Sequence, residues 1–133
     1  MTTKEILEKY KKIAVIGFSD NPARDSNKIA FYMLRNGYTV YGVNPKLEGK
    51  NIDGIQCYKY IAGIPDKVEI IDIFRVSIAV LPIVQDVLKL NYKPKVIWTQ
   101  FGIFNEEAKQ LALENSFEYI ENKCILVEHS KLK

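Results

Sequence analysis

Along this chain, short apolar runs alternate with stretches in which apolar residues recur every three or four positions. Ile6, Leu7 and Tyr10 have helical spacing in an otherwise polar segment, which predicts a short leading helix. Ile13 to Ile16 is a brief apolar run stopped by Gly17, the pattern of a strand covered on both faces, as in a parallel sheet. Ser19 to Asn27 is polar, contains Pro22 and predicts a loop. Ser26 or Asn27 is then placed to cap a helix through Ile29, Ala30, Met33 and Leu34, which Asn36-Gly37 ends. Tyr38 to Val43 is β-branched and aromatic, a second strand closed by Asn44-Pro45. Lys46 to Gly54 is polar and predicts a loop, and Val68 to Phe74 is a third apolar run. Ile78 to Leu90 has a helical pattern, with Pro82 tolerable in the first turn. Lys95 to Thr99 predicts a fourth strand, Asn105 to Glu114 a helix capped by Asn105, and Phe117 to Ile120 a fifth strand.

Apolar strands alternating with amphipathic helices imply an α/β protein with a parallel sheet and crossover helices. The expected fold is a small, Rossmann-like, doubly wound domain of about five strands. Its length of 133 residues suits one domain spanning the whole chain, 1–133. The 47 % apolar and 26 % charged composition excludes a disordered chain. The two cysteines, Cys57 and Cys124, form neither a metal-type pair nor a disulfide framework, so a reducing, cytoplasmic setting is expected. No apolar run approaches the roughly 20 residues of a membrane span. The net charge of +3 suits a small anionic ligand, and without a dense Lys/Arg block it argues against nucleic acid.

Sheets of this kind bind ligands at the carboxyl ends of their strands. Function is therefore sought in four loops: Gly17 to Asn27, Asn44 to Gly49, Phe74 to Ser77 and Gln100 to Phe104. The first leads from a strand to a helix, where backbone amides commonly hold a phosphate. Its sequence, Gly17-Phe18-Ser19-Asp20-Asn21-Pro22, lacks the second and third glycines of the dinucleotide fingerprint. Ser19 stands where the second glycine belongs, and Arg24, Ser26, Asn27 and Lys28 add donors. After the second strand, an NAD site needs a carboxylate for the ribose hydroxyls. Here the chain has Asn44-Pro45-Lys46, with no acid and a lysine, which favours a ligand bearing a phosphate on its adenosine. Arg75 is suited to pair with a phosphate and Phe74 to pack on adenine. Gln100 offers a carboxamide and Gly102 a close approach at the same edge. Cys124 reads as a small buried hydrophobe, and Glu128 and His129 as terminal polar contacts.

Taken in order, these segments resemble the small single-domain CoA-binding protein family, itself similar to the CoA-binding domain of the succinyl-CoA ligase alpha subunit. The matching pieces are Ala14-Val15-Ile16-Gly17-Phe18-Ser19-Asp20-Asn21-Pro22, Gly42-Val43-Asn44-Pro45, Ile71-Asp72-Ile73-Phe74-Arg75, Gln100-Phe101-Gly102 and Cys124-Ile125-Leu126-Val127-Glu128-His129. The resemblance implies CoA at the strand ends. It suggests Gly17, Ser19 and Arg24 near the phosphates, and Asn44, Pro45 and Lys46 at the adenosine end. Phe74 and Arg75 fall at the third strand's rim, and Gln100 and Gly102 toward the pantetheine. The ligases' phosphorylated histidine lies in another domain and His129 does not match it, so no catalytic residue and no metal ligand is expected.

The leading expectation is a non-catalytic module that binds CoA or an acyl-CoA and acts as a sensor or sequestering protein. The alternative is a small nicotinamide-nucleotide-binding oxidoreductase, which the missing glycines and ribose acid disfavour. A further possibility is a mixed disulfide between Cys124 and CoA. Phe101, Phe104 and Tyr92 are candidates for an exposed apolar patch that joins copies of the chain or a protein partner.

Overall fold

A computed structural model describes residues 1–133. Strand β1, Lys12–Ile16, lies at the middle of a seven-stranded sheet. On one side it pairs with β2, Thr39–Val43, which pairs with β4, Ile55–Tyr58; β3, Asn51–Ile52, closes that edge. On the other side follow β5, Ile70–Ile73, β6, Val96–Thr99, and β7, Glu118–Ile120. All pairings are parallel except β3 with β4. The fold is therefore α/β, Rossmann-like and doubly wound, with a mostly parallel sheet.

The sheet is covered on both faces, which is why its central strands β1, β2, β5 and β6 are mostly apolar. Ile13, Val15, Val40, Ile70, Val96 and Trp98 face α1, Thr3–Lys9, α2, Asp25–Arg35, and α5, Ile125–Ser130. Ala14, Ile16, Val43, Ile71, Ile73 and Ile97 face α3, Val80–Leu88, and α4, Glu106–Glu114. α1 is fixed by a reciprocal capping box between Thr2 and Glu5, and Asn105 caps α4 as its sequence predicts.

The strand count is seven rather than about five. The two extra strands are the β3–β4 hairpin, which occupies part of the expected loop Lys46 to Gly54 and the residues after it. Its turn is Asp53-Gly54, both with positive φ (47° and 102°), a pairing that suits a tight hairpin turn. The start of α2 also differs. Arg24 holds the cap position, and Ser26 and Asn27 lie inside the first turn, buried. α3 begins at Val80 because a 3₁₀ turn, Ser77–Ala79, precedes it, so Pro82 sits in the first helical turn. α5 is an element that the apolar pattern does not reveal, since at six residues it is too short for periodicity.

Candidate functional site

The chain leaves β1 for β2 on one side, while β5 lies on the other, so the loops after β1 and β5 diverge. That divergence opens a crevice at the carboxyl ends of the strands. Gly17 follows β1 with φ of +89°, and a Cβ there would stand 2.6 Å from the Phe74 carbonyl oxygen and 3.0 Å from Cδ of Arg75. Only glycine allows these two strand ends to lie so close. Gly42 has a comparable role on β2, since a Cβ would meet the Phe18 ring at 2.6 Å. Phe18 is fully buried there, edge-on to Phe31.

The loop from Phe18 to Arg24 is braced by two asparagines. Asn27 Nδ2 donates to the Ser19 carbonyl at 2.9 Å, and Asn44 Nδ2 donates to the Phe18 carbonyl at 2.8 Å. Asn44 Oδ1 also accepts from the Lys46 amide at 2.9 Å. The Ser19 hydroxyl accepts from the Asn21 amide at 3.1 Å, so part of its capacity serves the turn. The amides of Asp25 and Ser26, in the first turn of α2, have no partner within the protein. They point the positive end of the helix dipole at a cavity of about 540 Å³ lined by Gly17, Ser19, Arg24, Ser26 and Phe74. Asp25 lines the same cavity, and its carboxylate opposes an anion there.

A second, larger cavity of about 650 Å³ opens on the β2 side of Phe74 and Arg75. Asn44 and Pro45 form one wall. Lys46 does not: it is exposed on the 3₁₀ turn Pro45–Leu47, outside the lining. The lining cations are instead Lys59, Arg75 and Lys89, beside Tyr60, Ile61 and Asp86. Lys59, Tyr60 and Ile61 follow the β3–β4 hairpin, which the apolar pattern does not reveal; Asp53-Gly54 is the sequence signal that marks them. Lys89 and Asp86 come from the end of α3. None of Arg24, Lys46, Lys59, Arg75 or Lys89 takes part in an ion pair.

A third cavity, about 550 Å³, lies on the β6 side and shares Phe74 and Arg75 with the second. Gln100, Gly102, Phe101 and Cys124 form its far wall. The three cavities thus adjoin at Phe74, and every expected site residue except Lys46 lines at least one of them. Gln100 is buried and donates from Nε2 to Asp72 Oδ1 at 2.6 Å. Asp72 is fully buried, and burial raises its carboxyl to about 8, against the weaker lowering effect of the Gln100 bond.

The residues at the chain's far end have structural surroundings. His129 Nδ1 lies 2.9 Å from the Tyr32 hydroxyl, with its ring edge-on to Tyr32 and Tyr38. Burial, then Lys133 and Lys11, lowers its pKa. Cys124 is half-buried rather than sealed in the core. Phe101 and Phe104 are exposed, but Tyr92 does not join them. It is half-buried near the start of β6, at the opposite end of the sheet, and its hydroxyl accepts from the Val68 amide.

An open parallel sheet with a crevice at its strand divergence defines the class of Rossmann-like ligand-binding domains. Within that class the chain belongs to the CoA binding domain family, whose model matches residues 11–130. It is similar to the uncharacterized protein YneT of Bacillus subtilis (strain 168), with 34 % identity over 98 % of this chain and 93 % of that protein. Among solved structures, a hypothetical protein from Pyrococcus horikoshii OT3 superposes with a TM-score of 0.89 at 39 % identity, over 98 % of this chain and 89 % of that one. The dinucleotide forming acetyl-coenzyme A synthetase 1 of Ca. Korarchaeum cryptofilum superposes with a TM-score of 0.69 at 25 % identity, over 86 % of this chain and 26 % of the synthetase.

Proposed function

We propose that this chain is a binding module for CoA or an acyl-CoA, which it holds across the three adjoining cavities. The observation that carries this reading is the crevice itself: it is long, branches at Phe74, and gathers unpaired cations and free helix amides along one edge. A ligand with phosphates at two places and an extended uncharged arm suits such a site. The pyrophosphate lies against the start of α2, with Gly17, Ser19, Arg24 and Ser26. The adenosine end lies in the larger cavity beside Asn44 and Pro45, its 3′-phosphate reached by Arg75, Lys59 or Lys89. Lys46 contributes only to the surrounding field. The pantetheine arm runs past Phe74 toward Gln100 and Gly102. The absence of a carboxylate at Asn44 supports this assignment over a nicotinamide nucleotide.

Binding is the whole of the chemistry. The module sequesters CoA or reports its level in the cytoplasm to a protein partner, as a single domain or a homo-oligomer. Calorimetric titration of the reduced protein with CoA, dephospho-CoA and NADP(H) tests this. Tight CoA binding that weakens without the 3′-phosphate is the expected result. Saturable NADP(H) binding with none of CoA overturns it. Acetyl-CoA recovered intact after incubation supports binding without turnover, and thioester cleavage by the protein rejects it.

A further inference from the structure

Asp72 occupies the interior of β5, in register with Val15 of β1 and Trp98 of β6. It is the only acidic residue among the buried ones. One oxygen, Oδ1, accepts from Gln100, while Oδ2 has no partner at all. Burying a carboxyl with half its hydrogen-bonding capacity unmet costs stability that an apolar residue would not. Such a group needs a reason beyond folding.

Gln100 supplies one. Its Nε2 is held by Asp72, and its Oε1 accepts from the Ile125 amide at 3.3 Å. The two ends of a carboxamide differ only in donating or accepting. The Ile125 amide can only donate and so takes the Oε1 end, which leaves Nε2 for Asp72, whose Oδ1 accepts with or without a proton on Oδ2; together the two contacts give the carboxamide one orientation. Gln100 is also a wall of the β6-side cavity, and Cys124, the neighbouring wall, directly precedes Ile125. One buried acid therefore sets a side chain and a backbone segment that both face the crevice.

We propose that Asp72 is a positioning residue for the pantetheine arm, fixing the Gln100 carboxamide, and through it the wall at Cys124, in the one arrangement that pairs with the amide groups of that arm. This rests on the CoA reading above and adds a specific division of labour: the nucleotide is held by the β2 side and α2, the arm by the Asp72–Gln100 pair.

The test compares CoA with 3′-phosphoadenosine 5′-diphosphate, the same nucleotide without the arm, on wild type, Asp72→Leu, Asp72→Asn and Gln100→Ala. Wild type is expected to bind CoA more tightly than the armless ligand. Asp72→Leu removes the acceptor and is expected to weaken CoA about tenfold, the worth of a buried hydrogen bond and its orphaned partner, with the armless ligand unaffected. Asp72→Asn keeps an oxygen toward Gln100 and is expected to restore CoA affinity. If Asp72→Leu does not fold, Gln100→Ala reads the same difference between ligands. Unchanged CoA affinity in Asp72→Leu and Gln100→Ala, or equal losses for both ligands, overturns the proposal. Wild type that binds both ligands equally overturns it while leaving the CoA reading in place; wild type that binds neither removes both.

Discussion

At the scale of single residues, two positions carry sharp expectations. Gly17→Ala places a Cβ at φ of +89° against the Phe74 carbonyl. The left-handed backbone alone costs about 1 to 2 kcal/mol, and the contact adds to it. A lowered melting temperature together with lost CoA binding is expected; a variant with wild-type values for both means that the strand ends spread without cost. Asp72 gives stability an unusual pH dependence. Its carboxyl rises from 3.8 to about 8 on folding, through burial opposed only by the Gln100 bond. Between those values the folded protein keeps a proton that the unfolded chain has released, so stability falls as pH rises toward about 8 and levels off above it. Thermal melts should therefore show Asp72→Asn gaining on wild type across that window. A constant gap between the two means that Asp72 titrates normally. His129 acts with the opposite sign: its lowered pKa favours the neutral ring, and its contribution is lost as pH falls below its ordinary value of 6.5.

At the scale of elements, the side-chain braces matter more than the elements they join. Asn27 and Asn44 come from α2 and the end of β2, and both hold carbonyls of the loop after β1. Asn44→Ala removes the bond to Phe18 and the cap on the Lys46 amide. A loss of about 1 to 2 kcal/mol in denaturant unfolding is expected, with a larger relative loss in CoA affinity because the loop is no longer held. Equal stability in the variant would show the loop to be self-supporting. Most elements were legible in the sequence, because β1, β2, β5 and β6 are buried on both faces and so read as continuous apolar runs. The β3–β4 hairpin was not. It lies at the sheet edge, where Asn51, Asp53 and Gln56 keep polar character, and only the Asp53-Gly54 turn announces it.

At the scale of the whole molecule, the small net charge of +3 conceals a local excess of cations around one crevice. Arg75 stands at the junction of two cavities with no acidic partner. Arg75→Ala is expected to weaken CoA by about tenfold or more, the scale of a hydrogen bond to a charged group, with little change in melting temperature. Its affinity should also fall less steeply with added salt than that of wild type. A parallel drop in stability would mark Arg75 as structural. The loops after β1, β5 and β6 were readable as a site because a parallel sheet gathers them at one end whatever their sequence. Lys59 and Lys89 were not readable, since one follows an unrecognised hairpin and the other ends a helix whose position over the crevice depends on tertiary packing. Lys46 is close to β2 in sequence, but the 3₁₀ turn carries it outside the lining.

Trp98 is the sole tryptophan of the chain, fully buried, with its indole nitrogen donating to the Lys123 carbonyl at 2.8 Å. It also stands beside Asp72 in the sheet register, two residues before Gln100. The protein thus carries its own fluorescent reporter next to the buried acid. Selective excitation at the red edge should give an emission that changes as that acid loses its proton, and the change should vanish in Asp72→Asn. An unlabelled sample in a cuvette is enough to follow this one proton and the events in the crevice beyond it.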